Sequence, residues 1–275
     1  MCNLLSARSF LFVPGDRPER IIKAVQSAAQ CVIIDLEDAV APKDKEMARR
    51  HVHDFLKSGM NAKILLRVNG ADSPFHLDDL IVAQHPAVSG VVLPKAEAES
   101  CAALAQRLQH PVWPLIETAR GISELEEIVG LPNLGRLLLG TIDLSLDLGL
   151  NASHPGGQSA LDMTRFQLVV HSRLGKLSAP IDGVFTQLNN AAGLQATAAH
   201  AAAAGMGGMM CIHPDQTSTV HQAFMPDAAD VEWAQAVLDV STSEKSSFRF
   251  RGEMVDAPVL ERAQRIVAAQ PKSEV

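Results

Sequence analysis

No run of ~18 apolar residues, the length a membrane-crossing helix needs, occurs in the 275-residue chain. The N-terminal stretch Met1-Cys-Asn-Leu-Leu-Ser-Ala-Arg-Ser9 lacks the long apolar core of a signal peptide. The expectation is a soluble, cytoplasmic protein with no membrane partner. Basic charge is also short: the net charge is −7, so no broad positive surface exists to attract nucleic acid. An anionic small molecule would have to find local Arg and Lys clusters. The cysteines Cys2, Cys31, Cys101 and Cys211 are scattered, without C-x-x-C or zinc spacing, and read as small buried residues of a reducing compartment. There is no H-E-x-x-H, and His51, His53 and His76 read as solvent-facing. Neither Ser145 nor Cys211 sits in an elbow motif beside a base, which argues against covalent catalysis. No internal repeat is visible.

What is present is a large apolar complement, 47% of residues, distributed in a regular way. Short apolar runs at 10–13, 32–36, 64–68, 90–93, 112–116, 137–139, 181–185 and 209–212 make eight candidate strands. Several are continuously apolar, as strands covered on both faces should be. Between them lie helical patterns. One opens at Pro18-Glu19 with Ile21, Ile22 and Val25 on one face, and others run over 43–56, 97–108, 122–129, 164–174 and 191–204. Eight alternating βα units predict an α/β fold, a (β/α)8 TIM barrel. A doubly wound open sheet is the runner-up, but no Gly-rich dinucleotide turn follows the first strand. A helix over 230–240, a polar linker over 241–247 and a last helix from Pro258 predict a C-terminal helical extension. The expected division is a catalytic barrel over 1–226 and an arm over 227–275, which either caps the barrel or reaches an active site, its own or a neighbouring subunit's.

In barrels the active site lies at the C-terminal ends of the strands. That rule turns the strand list into a residue list: Phe12 and Arg17; Asp35, Glu37 and Asp38; Arg67; Lys95; Glu117; Asp143; Asp182; His213. Nearly every strand delivers an ionisable group to one rim. Glu117 and Asp143, each closing an apolar run, suit a hard divalent cation with water and substrate oxygens completing its shell. Salt bridges to Arg120 or Arg136 explain them equally well. Arg67 suits a two-pronged clamp on a carboxylate or an ion pair with Asp35, Glu37 or Asp38, which themselves suit orienting a metal-bound water or a lysine. Arg17 and Lys23, read as lying at the start of the first helix, suit a phosphate. His213 reads as a turn cap.

Taken in order, eight segments resemble the citrate lyase β-subunit-like family of acyl-CoA lyases. They are Arg8-Ser-Phe-Leu-Phe-Val-Pro-Gly-Asp-Arg-Pro18, Asp35-Leu-Glu-Asp-Ala-Val-Ala-Pro42, Arg67-Val-Asn-Gly70, Val92-Leu-Pro-Lys95, Ile116-Glu-Thr-Ala-Arg-Gly121, Gly140-Thr-Ile-Asp-Leu144, Cys211-Ile-His-Pro-Asp-Gln216 and Met254-Val-Asp256. The resemblance implies a TIM barrel assembling as a homotrimer or hexamer. It implies Mg2+, with Mn2+ as the alternate, and a substrate built on coenzyme A. By similarity Glu117 and Asp143 hold the metal, and Arg67 binds an oxygen of the 2-oxo acid. Phe12, Arg17, Lys23, Ile142, Ile181 and Asp182 contact the acyl-CoA. Asp256 is the acid/base, supplied across a subunit boundary in malyl-CoA lyase-like members. Glu37 and Asp38 complete the catalytic set as nearby carboxylates. The implied reaction is C–C cleavage of a 3-hydroxy-3-carboxyacyl-CoA, and the closest resemblance is to (S)-citramalyl-CoA lyases of itaconate breakdown. The alternatives are a citrate lyase β-subunit, a malyl-CoA lyase or thioesterase, and a non-catalytic coenzyme A-binding subunit. Two departures touch substrate choice: Met209 stands where relatives commonly have Lys, and Gln187, Asn189 and Asn190 stand in a loop that is often acidic. Related pyruvate aldolases carry His where this chain has Asp38.

Overall fold

The structure, a computed structural model, describes residues 4–60, 62–241 and 247–270. Eight parallel strands close into a barrel in chain order: β1 (Ser9–Pro14), β2 (Cys31–Asp35), β3 (Ile64–Arg67), β4 (Val88–Leu93), β5 (Val112–Ile116), β6 (Leu138–Leu139), β7 (Ile181–Asp182) and β8 (Gly208–Cys211). Closure runs through Ser9↔Met209, Phe10↔Met210 and Leu11↔Cys211. The expected (β/α)8 barrel is therefore present.

Side chains alternate across a strand, and that period decides what fills the barrel and what reaches its mouth. Phe10, Ile33, Leu65, Val92, Trp113, Leu115, Leu138, Ile181 and Met210 share one buried cluster, the barrel interior. Burying side chains of this size contributes roughly 1.5–3 kcal/mol each. Trp113 takes most of one layer, and a Cβ on Gly90 would lie 2.7 Å from its Cδ1. Glycine is what lets β4 pass the indole. Stepping two residues along from Ile33, Leu65 and Leu115 reaches Asp35, Arg67 and Glu117. The interior column thus turns from apolar to ionic at the mouth.

Several sequence expectations shift in detail. The helix expected over 164–174 starts at Pro155 and ends at Leu174, because Pro155 suits the first helical position and His154 Nδ1 caps Gly156 N at 3.2 Å. The segment 122–129 is two helices, Ala119–Ser123 and Leu125–Val129, meeting at Glu124. Helices His76–Ala83 and Thr141–Asp147 were not anticipated. His76 is buried, with Nδ1 2.7 Å from the Asn69 carbonyl, against the expectation that it faces solvent; His51 and His53 are half-buried. Cys31, Cys101 and Cys211 are buried thiols, as expected, and Cys2 lies outside the described residues. Met209 lies inside β8 and is buried, in register with Asp182. It belongs to the strand and not to the rim.

Two compact units divide the chain, Met1–His221 and Gln222–Val275. In the second, helices Ala228–Ser241 and Ala257–Ala268 accompany a hairpin of β9 (Phe248–Phe250) and β10 (Glu253–Val255). The hairpin was not expected. Its turn residues Arg251 and Gly252 both have positive φ, at 49° and 91°, as hairpin turns matching strand twist require. Ala234, Val237, Val255 and Ala263 form this unit's own core. Most of the expected linker, 242–246, lies outside the described residues. Among the described residues no helix is long and apolar enough to cross a membrane.

Candidate active site

The mouth of the barrel is organised by β2 and β3. Asp35 ends β2 almost wholly buried and accepts backbone N–H groups from Glu37 (2.8 Å) and Ala39 (3.1 Å), which shapes the turn. Arg67, ending β3, donates both Nε and Nη2 to Asp35, at 2.7 and 2.6 Å. Its Nη1 lies 3.0 Å from Glu37 Oε2 and 3.6 Å from Asp38 Oδ2, and the guanidinium stacks 4.9 Å from the centre of the Phe12 ring. Burial works against the charge, but Asp35, Glu37 and Asp38 more than offset it and hold Arg67 firmly protonated. Of the two readings left open by the sequence, the ion pair is formed.

Glu37 is buried, and burial outweighs Arg67 to push its carboxyl above the usual range, with Asp38 adding repulsion. Its Oε1 meets Lys95 Nζ at 3.2 Å. Oε2 sits close to Arg67 without a well-aligned hydrogen bond. Two carbonyls of the same turn, Leu36 O and Glu37 O, each accept from Lys45 Nζ at 2.8 Å, and burial lowers the Lys45 ammonium. Asn69 is tied to Asp79 through both its N–H (2.8 Å) and its amide (2.6 Å), fixing the backbone just past Arg67. Lys45 and Asp79 were missed from sequence, since a helical lysine and a helical aspartate carry no motif signal. Asp38 is exposed.

Glu117 follows β5, 2% exposed. One oxygen, Oε1, accepts the backbone N–H of Lys95 at 2.9 Å. A Cβ on Gly140 would collide with the other, Oε2, and lie 2.6 Å from Glu117 Cβ, so Gly140 is what gives this carboxylate room. Burial pushes the Glu117 carboxyl up to about 8, against the Lys95 N–H and with help from the negative charges of Asp143 and Glu37. Asp143 does not end a strand. It lies in the first turn of Thr141–Asp147, after the two-residue β6, where a carboxylate faces the favourable end of the helix dipole.

The alternative partners are taken elsewhere. Arg120 pairs with Glu97 (3.1 Å) and Glu124 (2.7 Å), and Arg136 donates to the carbonyls of Ala179 (2.7 Å) and Ala7 (2.6 Å). Among the described residues neither Glu117 nor Asp143 forms a salt bridge. A buried carboxylate that forms no salt bridge and feels the negative charge of a second acid fits a hard divalent ion bound through oxygen. No group of three or more Asp, Glu, His or Cys side chains converges among the described residues, so water or substrate oxygens would complete such a shell.

The remaining sequence candidates differ in their settings. Phe12 lies at the mouth beneath Arg67. Arg17, Lys23 and Ile142 are exposed, with Arg17 at the position just before the helix Pro18–Val25 and Lys23 in its last turn, not at its start. Ile181 belongs to the barrel interior, and Asp182, one residue on, faces the opposite way. The Asp182 carboxylate is buried in an ion pair with Arg165 Nε (3.0 and 3.1 Å) from the helix Pro155–Leu174. Neither of these side chains is open to a ligand. His213 is exposed, and its Nδ1 accepts Asp215 N at 3.3 Å, the turn cap expected of it. In the second unit Asp256 caps the helix Ala257–Ala268, its Oδ1 accepting Val259 N at 3.4 Å. A cavity of about 900 Å³ opens over the ends of β2 to β5, lined among others by Glu37, Lys45, Asn69, Lys95 and Thr118.

The chain is similar to known proteins over most of its length. A family model described as HpcH/HpaI aldolase/citrate lyase matches residues 8–214. A citrate lyase subunit beta-like protein of Deinococcus radiodurans is 36% identical over 277 residues, covering 95% of this chain and 96% of its own. A (3S)-malyl-CoA thioesterase of Cereibacter sphaeroides is 30% identical over 271 residues, covering 96% and 92%. Among solved structures, the CitE protein of Mycobacterium tuberculosis in complex with magnesium, acetoacetate and coenzyme A superposes with a TM-score of 0.85 at 32% identity, covering 97% of this chain and 99% of that one.

Proposed function

The chain belongs to the HpcH/HpaI aldolase/citrate lyase family, and from that premise we propose that it is a C–C lyase acting on an acyl-CoA thioester, with (3S)-citramalyl-CoA as substrate and acetyl-CoA and pyruvate as products. The family includes magnesium-dependent lyases acting on coenzyme A esters. In this reading Glu117 and Asp143 hold Mg2+, with Mn2+ as the alternate. The bound ion would supply positive charge that acidifies the substrate hydroxyl and orients its carboxylate.

The chain's own residues carry the rest. Arg67, braced by Asp35 and Glu37, presents its remaining N–H toward the oxygen that becomes the carbonyl of the 2-oxo acid and stabilises its charge. Glu37 or Asp38 takes the hydroxyl proton. The C–C bond then breaks, its electron pair passing into the acetyl-CoA enolate, and Asp256 protonates the enolate carbon. Phe12, Arg17, Lys23 and Ile142 serve the acyl-CoA. Ile181 and Asp182 serve it through backbone atoms, because their side chains are buried. We place the enzyme in the cytoplasm as a homotrimer or hexamer, with residues 227–275 forming an arm that brings Asp256 to the active site of a neighbouring subunit.

The observation that carries this reading is Glu117: a buried carboxylate at the barrel mouth that forms no salt bridge among the described residues and that burial, with the charge of Asp143, pushes up to about 8. The test is a coupled assay for pyruvate, glyoxylate and oxaloacetate released from citramalyl-, malyl- and citryl-CoA, with Mg2+ and with chelator. Pyruvate from citramalyl-CoA, lost on chelation, is the expected result. Release that survives chelation, or no 2-oxo acid from any of the three, would sink the proposal. Thioester hydrolysis is the second reading, supported by the similarity to the (3S)-malyl-CoA thioesterase. Free malate appearing without glyoxylate marks it.

A further inference from the structure

Lys95 is one of four non-glycine residues with positive φ among those described, at 46°. Asn133 and Lys176 lie in turns between barrel elements and Arg251 in the hairpin turn, whereas Lys95 stands at the mouth, two residues beyond β4. An L-residue in this conformation is disfavoured, and glycine or asparagine would hold the same backbone with less strain. Strain of this kind clusters where surrounding structure holds a functional geometry.

The left-handed turn sends the two polar groups of Lys95 to different acids. Its backbone N–H reaches Glu117 Oε1 at 2.9 Å, and its ammonium reaches Glu37 Oε1 at 3.2 Å. Glu37 in turn lies against Arg67 Nη1, and Arg67 is locked on Asp35. One residue on β4's exit therefore touches the acid after β5 and, through Glu37, the guanidinium on β3. Glycine would preserve the first link and abolish the second, so the side chain is what sets lysine apart at this position.

We propose that Lys95 is a positioning residue with two separable arms: its N–H fixes the Glu117 carboxylate, and its ammonium holds Glu37 so that Glu37 braces Arg67 in the orientation used on substrate. This rests on the reading of the site given above. The ammonium arm is not a metal contact and not a proton carrier; it sets the direction of the guanidinium.

The test compares the full-length protein with Lys95→Gly, Lys95→Met and Lys95→Arg. Three quantities are measured: Mn2+ affinity without substrate by electron paramagnetic resonance, turnover of citramalyl-CoA, and the Arg67 Nε–H signal in 15N NMR, assigned with Arg67→Lys. Lys95→Gly should bind Mn2+ within about twofold of the parent, because the N–H and its φ survive. It should lose at least tenfold in kcat and displace or broaden the Arg67 signal, with Lys95→Arg recovering both. Lys95→Met covers the case in which the glycine variant fails to fold, with the same shift of the Arg67 signal expected. An unmoved Arg67 signal, or turnover within twofold of the parent in Lys95→Gly, overturns the proposal. So does a tenfold loss of Mn2+ affinity in Lys95→Gly, which would place the side chain in the metal site. If the parent cleaves none of the thioesters, the lyase reading alone falls, and the Arg67 signal still decides the role of Lys95.

Discussion

Glu117→Gln is the sharpest perturbation of this site because its effect on stability runs opposite to ordinary intuition. Gln keeps the shape and can still accept the Lys95 N–H, but it has no proton to lose. In the folded protein the Glu117 carboxyl titrates near 8, against 4.5 when solvated. A raised acid contributes its full stability below the unfolded value and loses it as pH climbs through the folded value. From 4.5 to 7 the wild type should therefore lose ~1.4 kcal/mol per pH unit relative to the glutamine variant. That amounts to about 3 kcal/mol at pH 7, levelling at about 5 kcal/mol above pH 8. The assay is urea unfolding in chelator at pH 4.5, 7 and 8.5, for wild type and variant. Added Mg2+ should then stabilise the wild type, increasingly so toward pH 8 as the proton is displaced, and leave the variant unmoved. A variant no more stable than wild type at pH 8.5, or an advantage that does not change with pH, would refute the picture of a buried acid waiting for a cation.

Gly140→Ala should force Glu117 to rotate away, since the new methyl would meet both its Cβ and its carboxylate. Mn2+ affinity falls at least tenfold at a cost of ~1–3 kcal/mol in stability, and an affinity within twofold of wild type contradicts this. Arg67→Lys surrenders the two-pronged bond to Asp35 and should cost roughly 3 kcal/mol in denaturant unfolding, while kcat drops more than Mn2+ affinity. Asp256→Asn preserves the helix cap, which Asn serves as well as Asp, yet should remove more than 99% of turnover with metal and thioester binding unchanged in calorimetry. Full turnover in that variant would leave Asp256 as a cap and nothing more.

The barrel was legible because its strands are buried on both faces and so appear as unbroken apolar runs. The 3.6-residue pattern between them marked most of the helices. The rim rule then found Asp35, Arg67 and Glu117, whose inward direction follows from the two-residue period of β2, β3 and β5. It failed where strands are short. β6 has two residues, so Asp143 belongs to a helix, and β7 ends at Asp182, whose carboxylate turns back to Arg165. Whether a charged residue after a strand points in or out depends on where that strand stops, and apolar runs mark stops poorly. Lys95 was on the rim list but unassigned, because nothing in Pro94-Lys95 announces a left-handed turn. Buried supports such as Lys45 and Asp79 owe their importance to partners far away in sequence.

The chain contains no tyrosine and two tryptophans. Trp113 is sealed inside the first unit and Trp233 packs against the core of the second. Each unit thus carries its own fluorophore, and excitation energy has no phenol from which to be collected. Trp113→Phe or Trp233→Phe would leave an emission that reports on one unit alone. The melting of the barrel unit and that of the unit carrying Asp256 can be followed separately without any label.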